Sequence, residues 1–402
     1  MNCSGVGIDI FYLAMCWALT LTTSTLLTTI GPLSAKYVGA SNVEAPFTIG
    51  VFLFGAAFSA VPAGPLFKKY GRMKGFSFGC ICQIIGCILG CTAMAIENHV
   101  LIFFGCFFVG LGQGFGQFYR FSAVEIAPAS IKPQAVTYVL SGGVLAAILG
   151  PNLATLTVNL FPDRPYTGAF LMIGIVAIVN QICCLMVRFP DSIVTRPSGK
   201  QGGSKPSIGG PVEAMAVSIT GVENRPIVII ITEPLFMVSC AVATLAHTIM
   251  VMVMSNATLA LSSQGFPVED ASLMMMLHFA CMFVPGFFTG KLIEKFGPFI
   301  VAMFGAVVFA CCAITFLSGM DIVNFYVGMS LLGIAWNFSF SAGTVMLTGS
   351  YKKSEAADVQ AVNDFILFTV AGVGSLLSGI VYSFTSWYSL ILLVSGMMMI
   401  NM

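Results

Sequence analysis

The chain has 402 residues, of which 57% are hydrophobic and only 8% are charged, and its formal net charge is +1. Soluble domains carry about 25% charged residues, so this composition excludes a soluble enzyme, and the high hydrophobicity excludes a disordered chain. The near-neutral charge provides no basic surface for nucleic acid. An integral membrane protein in a lipid bilayer is therefore predicted.

Twelve apolar runs are long enough to be membrane-spanning helices, which need about 20 residues. A polar stretch rich in Pro and Gly separates them into two sets of six and is typical of a flexible linker. The predicted fold is an all-α membrane protein with two pseudo-symmetric six-helix halves, residues 1–188 and 232–402, joined by a cytoplasmic linker at 189–231. The predicted spans are 10–30, 45–67, 74–95, 100–119, 136–158, 167–188, 232–261, 270–289, 299–318, 323–344, 357–381 and 386–402.

The ends of the chain and its basic residues give the expected topology. The first span is read as a retained helix rather than a signal peptide, and the last span is short, so the C-terminus is expected to be clipped or unusually brief. Basic residues mark the cytoplasmic side of membrane proteins. With both termini cytoplasmic, only Lys36 and Arg164 of the 17 basic residues lie on the other side. The plasma membrane is the expected location, with an organelle membrane as the alternative.

Two loops share a sequence pattern and indicate an internal repeat. The loop at 64–74 begins Gly64-Pro-Leu-Phe-Lys-Lys-Tyr-Gly71, and the loop at 290–298 begins Gly290-Lys-Leu-Ile-Glu-Lys-Phe-Gly297. Both have Gly-x-Leu followed by a Lys and an aromatic residue before the second Gly. Both also connect the second and third helices of a half, as expected for duplicated transporter halves.

This loop pattern and the six-plus-six layout resemble the major facilitator superfamily. The resemblance implies a carrier that works by alternating access, with the loops as part of a cytoplasmic gate. Lys68 stands where the family usually has Asp, so Arg72 or Lys74 is expected to contact Glu125 or backbone carbonyls instead. The predicted gate residues are Gly64, Gly71, Arg72, Arg120, Gly290, Glu294, Gly297 and Asp364.

Two alternatives bear on these gate residues. Arg120 is expected to pair with Glu125 or with Asp364 across the gate, but it is also placed where an interfacial arginine extends its charged end toward water. The basic residues of the first loop, Lys68 and Lys69, have the simpler reading that they only set topology.

The middles of the spans contain almost no formal charge but many soft donors. A substrate that needs a buried counter-ion is therefore disfavoured, whereas the chain has 23 Met and 13 Cys. In the seventh span His247, Met250 and Met254 share a helix face, and in the eighth His278 and Met282 do so. Thioether and imidazole donors suit Cu(I). The alternatives are that the Met residues fill gaps and that each His binds a carbonyl of a neighbouring helix.

The same residues resemble a particular branch of the superfamily, the bacterial CcoA-like copper importers. That branch carries Met-x-x-x-Met in its seventh helix and His-x-x-x-Met in its eighth. The resemblance extends to the stretches 118–121, 283–292 and 363–365. It implies that Met250, Met254, His278 and Met282 pass the ion, with His247 as a further ligand. Additional transient donors proposed from the sequence are Cys16, Cys240 and Cys281.

The leading functional hypothesis is therefore a monomeric secondary-active or facilitative transporter that imports copper, with copper as substrate and no permanently bound cofactor. One alternative is a transporter of a small neutral organic solute, for which the Met-rich faces only line the cavity. Another is a membrane sensor that transports nothing. The sequence contains no nucleotide-binding loop, nucleophile elbow or zinc-protease motif, so an enzyme is not expected.

Overall fold

The computed structural model describes residues 3–128, 132–189, 225–352 and 355–400, and within these ranges all regular structure is helical. The helices of the first half are α1 (Cys3–Tyr37), α2 (Phe47–Tyr70), α3 (Arg72–Ile96), α4 (His99–Gly116), α5 (Tyr119–Ile126), α6 (Lys132–Val158) and α7 (Thr167–Leu185). Those that follow are α8 (Ile227–Ile231), α9 (Pro234–Ser263), α10 (Val268–Phe283), α11 (Gly286–Phe296), α12 (Pro298–Leu317), α13 (Ile322–Thr348), α14 (Ala356–Phe384) and α15 (Trp387–Ile400).

Eleven of the twelve predicted spans are long and apolar enough to cross a membrane. The twelfth, α15, has 14 residues and is about 21 Å long, shorter than the hydrocarbon core of about 30 Å. The eighth predicted span is interrupted, because α10 ends at Phe283 and α11 begins at Gly286. Pro285 lies between them and lacks the backbone N–H that a continuous helix needs.

The helices pack in the same order in each half and across the boundary between the halves. In the first half α1 packs on α6 and α7, and α4 packs on α2 and α3; in the second, α13 packs on α9, α10 and α12. The second span of the first half, α2, meets the fifth span of the second half, α14, and α10 correspondingly meets α6. The contacts between the halves are therefore related by pseudo-symmetry.

The predicted linker is described only in part. Residues 190–224 lie outside the described ranges, while the last residues of the predicted linker form the short helix α8. The boundaries at 188 and 232 themselves stay predictions. We call one membrane face cytoplasmic and the opposite face outer, following the predicted topology.

The two copies of the repeated loop have the same backbone conformation. Gly71 has φ 86° and ψ 163°, and Gly297 has φ 84° and ψ 155°. Their N–H groups donate to the carbonyls of Phe67 and Ile293, at equivalent positions. This region of backbone space is essentially restricted to glycine, so both turns require the glycine that the repeat supplies.

Replacing Gly71 or Gly297 with alanine is expected to destabilise the protein by about 1 to 3 kcal/mol, because an L side chain strains this conformation. The measurement is the melting temperature of the purified protein in detergent. The matched controls are Gly64→Ala and Gly290→Ala, since these glycines lie inside helices and an added Cβ would meet nothing within 4 Å. Equal losses in all four variants would contradict the assignment.

Candidate functional site

One face of α14 is turned toward the first half and carries residues one helical turn apart. Oδ2 of Asp364 lies 3.4 Å from Nη2 of Arg120, which belongs to α5. Two turns further, a Cβ on Gly372 would lie 3.2 Å from the backbone oxygen of Gly50 in α2. Phe368 lies midway between these two residues on the same face of α14.

Four rings of the second half form a cluster that includes Phe368, and we call this cluster the aromatic box. It consists of His247 from α9, Trp336 and Phe340 from α13, and Phe368 from α14. The centroid of the His247 ring lies 6.0, 6.1 and 5.9 Å from the centroids of the other three, in that order. Trp336 and Phe340 stack with centroids 4.5 Å apart. Walls of this kind bind flat apolar groups.

The hydrogen bond between Trp336 and His247 determines which nitrogen of the imidazole carries the proton. Nε1 of Trp336 lies 3.1 Å from Nδ1 of His247. The indole N–H only donates, so Nδ1 is the acceptor and neutral His247 carries its proton on Nε2. Nε2 is buried and has no hydrogen-bond partner among the described residues. The aromatic box thus contains one unused N–H donor, suited to a carbonyl oxygen.

His278 has the opposite arrangement. Its Nδ1 lies 2.9 Å from the backbone oxygen of Met329 in α13, and because a carbonyl only accepts, the proton is on Nδ1. The buried Nε2 then presents a lone pair and has no partner in the described part of the chain. The sequence analysis gave two possibilities for His278, metal binding or a hydrogen bond to a carbonyl of a neighbouring helix. The contact with Met329 is a hydrogen bond of the second kind.

The methionines of the predicted copper site are buried in the second half. Met250 and Met254 lie on α9, and Met282 lies on α10. These two helices have limited contact with each other; both pack on α13, and α9 packs to a similar extent on α14. Within the described ranges no group of three or more His, Cys, Asp or Glu residues is arranged to hold a metal ion. Copper ligation by these residues therefore stays a prediction.

The three cysteines proposed as transient donors lie in different surroundings. Sγ of Cys16 is 3.8 Å from the backbone oxygen of Asn180 in α7. Sγ of Cys240 is 3.8 Å from Oγ1 of Thr244, on the same helix. The Cβ of Cys281 lies against α13 beside Gly333. The structure does not bring these thiols together at one site.

The cytoplasmic side contains an ion pair between the halves. Of the two partners predicted for Arg120, Asp364 is the one in contact. About a quarter of each side chain is exposed, so the pair is partly shielded from water and its attraction exceeds that of a surface pair. The contact joins α5 to α14 at the cytoplasmic side of the aromatic box. Its action as a gate stays a prediction.

The other predicted gate residues contact only their own half or solvent. Arg72 donates to both carboxylate oxygens of Glu125, with Nε 3.0 Å from Oε2, and its guanidinium lies 4.8 Å from the centroid of Phe67. Glu294 is exposed and forms no ion pair within the described ranges. The side chain of Lys68 is not among those that the structure describes. The two copies of the loop thus share a backbone but not a polar contact.

A third set of cytoplasmic contacts was not anticipated from the sequence. Arg225 donates to Glu355 and Glu233 at 2.8 and 2.6 Å and to the backbone oxygen of Ser350 at 3.0 Å. The bond from Arg225 lowers the pKa of Glu355 to about 2, so its carboxylate is charged at neutral pH. These bonds fasten the end of the linker to the starts of α9 and α14. No spacing rule reveals a partner 130 residues away.

The first half contains a buried polar network that the sequence analysis also missed. Hydroxyl groups on α1 bond to amide side chains of α3, α4 and α7 at distances of 2.6 to 2.9 Å. Such bonds hold membrane helices together. The run of Thr and Ser at 20–29 was the available signal. The bonded pairs are Thr20 with Asn180, Thr23 with Gln83 and Ser24 with Gln113.

Comparisons with known proteins agree with this architecture. The chain is 28% identical over 379 residues to the riboflavin transporter RfnT of Brucella anthropi, covering 94% of this chain and 90% of that protein. It is 27% identical over 378 residues to YddS of Bacillus subtilis, named as an uncharacterized MFS-type transporter, covering 92% of this chain and 83% of that protein.

Solved structures match the fold over nearly the whole chain. A D-xylose–proton symporter superposes with a TM-score of 0.73 at 13% identity, covering 98% of this chain and 96% of the symporter. The nucleoside transporter NupG superposes with a TM-score of 0.68 at 15% identity, covering 100% and 97%. The family model described as Major Facilitator Superfamily matches residues 13–373. With this match over most of its length, the chain belongs to the major facilitator superfamily.

Proposed function

We propose that this transporter carries a small, neutral, flat aromatic solute and binds it in the aromatic box. The observation that carries the proposal is the buried Nε2–H of His247, which has no partner among the described residues. The imidazole that carries it has its ring centroid 5.9 to 6.1 Å from those of Trp336, Phe340 and Phe368. A ring system with a carbonyl oxygen satisfies both features at once, by stacking and by accepting the hydrogen bond.

The position of the aromatic box fits alternating access, in which two halves rock about a central site. On the cytoplasmic side it is followed by the ion pair of Arg120 and Asp364. On the outer side it is followed by the close contact of Gly372 with Gly50. When one of these two contacts opens while the other stays closed, the aromatic box is exposed to only one side of the membrane.

The relatives support an organic solute. One of them is named a riboflavin transporter, and the isoalloxazine group of riboflavin is a flat three-ring system with carbonyl oxygens. The structures described above are also named for organic solutes. No charged side chain belongs to the aromatic box, which favours a neutral cargo because a charged one requires a buried counter-ion. Riboflavin is therefore the first compound to test.

Copper is the second candidate, and one observation favours it. Nε2 of His278 is a buried lone pair without a partner in the described ranges, as a metal ligand requires. It ranks second because Trp336 occupies the lone pair of Nδ1 of His247 and the other nitrogen carries the proton, which leaves no free lone pair on that ring for a metal. The named solutes of the relatives also point away from a metal ion.

The two candidates are separated by uptake into proteoliposomes that contain the full chain. We expect saturable uptake of radioactive riboflavin above that of empty liposomes, and radioactive copper uptake at the empty-liposome level. His278→Gln is expected to keep riboflavin uptake, because glutamine can still donate to the Met329 carbonyl. Copper uptake that falls in His278→Gln, without riboflavin uptake, would establish copper instead. No flux of either solute would overturn the proposal and favour the sensor.

A further inference from the structure

A cavity of about 320 Å³ opens at the outer face, where the halves meet. This size is within the range of small-molecule sites. We call it the outer vestibule, and its wall comes from both halves. The first half contributes Lys36, Tyr37 and Tyr166, and the second contributes Leu259, Ser263 and Tyr382.

Lys36 gives the outer vestibule a positive charge at an unusual place. Basic residues are depleted on the outer side of membrane proteins, and the predicted topology places only Lys36 and Arg164 there. Arg164 donates to the backbone oxygens of Met94 and Ala95 and so caps the end of α3. Lys36 instead lines the cavity and donates to Oδ1 of Asn42. An ammonium has three N–H bonds, so it retains donors for a ligand.

Three tyrosine rings accompany this charge. Tyr37 and Tyr166 lie with ring centroids 5.8 Å apart, and Tyr382 belongs to the opposite half. Tyr166 has φ +66°, a left-handed conformation that is uncommon for a large side chain. Backbone outliers of this kind concentrate at ligand-binding positions. The outer vestibule thus combines aromatic walls with one cationic donor.

We propose that the outer vestibule is a loading site, where a neutral aromatic solute with an exposed carbonyl oxygen binds before it reaches the aromatic box. The tyrosines contact the faces of its rings and Lys36 binds its oxygen. This inference rests on the proposed function, because the solute class is the same. Since the wall comes from both halves, their relative movement alters the site.

The test compares riboflavin transport from the two sides of the membrane. In cells, Lys36→Met and Tyr382→Leu are expected to raise the KM of uptake from the outer side by about fivefold to tenfold, the effect of losing one good contact. The kcat of uptake is expected to be unchanged. In inside-out vesicles under the same driving force, the KM from the cytoplasmic side is expected to be unchanged while kcat falls by the same factor, because the ratio of kcat/KM in the two directions is fixed by the overall equilibrium. Lys36→Arg retains the cation and serves as the matched control, with a wild-type KM.

The outcomes separate the two proposals. Wild-type riboflavin transport with an unchanged outer KM in both Lys36→Met and Tyr382→Leu would overturn the loading site alone. A KM raised equally on both sides, with kcat unchanged, would also overturn it, because weakening a site at the outer face does not weaken binding from the cytoplasmic side. Absence of riboflavin transport by the wild type would overturn the proposed function and this inference with it.

Discussion

Trp336→Phe is expected to lower kcat/KM for riboflavin uptake by about fivefold to 150-fold. Phenylalanine keeps the stacking on Phe340, but it removes the N–H that bonds to Nδ1 of His247. The imidazole then loses the bond that holds its proton on Nε2. An unsatisfied buried polar group costs about 1 to 3 kcal/mol, which corresponds to this range of rates. The initial rate of uptake at several riboflavin concentrations measures the effect.

Trp387→Phe provides the matched control. Trp387 is buried, on α15, whereas Trp336 is half-buried, and Nε1 of Trp387 has no hydrogen-bond partner among the described residues. The substitution therefore breaks no hydrogen bond of that group, and uptake is expected to remain near the wild-type level. His247→Leu removes the donor itself and is expected to lose at least as much activity as Trp336→Phe. Equal activity of Trp336→Phe and wild type would contradict the role of the box.

Asp364→Asn and Arg120→Gln are each expected to shift the halves toward the state that is open to the cytoplasm. The ion pair is partly buried, and its loss is worth about 1 to 2 kcal/mol after discounting for solvent, or about a fivefold to thirtyfold change in the equilibrium. Hydrogen exchange of peptides covering 119–126 and 358–368 is expected to become faster. Uptake is expected to fall because closure on the cytoplasmic side is less favourable.

The charge-swapped double variant, Arg120→Asp with Asp364→Arg, is expected to recover slow exchange and part of the uptake, since it restores the attraction. Lys295→Gln is the matched control because it removes an exposed basic residue on the same membrane face without breaking an ion pair within the described ranges. If hydrogen exchange in Asp364→Asn is as slow as in the wild type, the ion pair does not hold the halves together.

The fold was largely predictable because membrane spans, topology and repeats depend on residues that are close together in the sequence. Apolar runs identify membrane helices through their length, and eleven of twelve are confirmed. Features that depend on a few atoms were less predictable. The interruption at Pro285 was missed because the hydropathy of the eighth span does not fall there. The shared conformation of Gly71 and Gly297 follows directly from the repeat.

The site was less predictable because its members come from three helices. Helical spacing correctly identified His247 as a residue on one face with Met250 and Met254, but it could not show that Trp336 approaches its Nδ1. That bond occupies Nδ1 of the imidazole as an acceptor and so determines which nitrogen carries the proton. The same limit applies to Arg225 and Glu355, whose contact depends on how distant segments fold together.

The spacing along α14 has a consequence for how this helix can vary. Asp364, Phe368 and Gly372 lie at intervals of four residues, so about 12 Å of one rigid helix joins the ion pair, the ring and the glycine contact. Exchanging the side chains between them leaves that register intact. Inserting or deleting a single residue rotates everything beyond it by about 100°, and the two ends would then face different neighbours. Within this segment, length is under stronger constraint than composition.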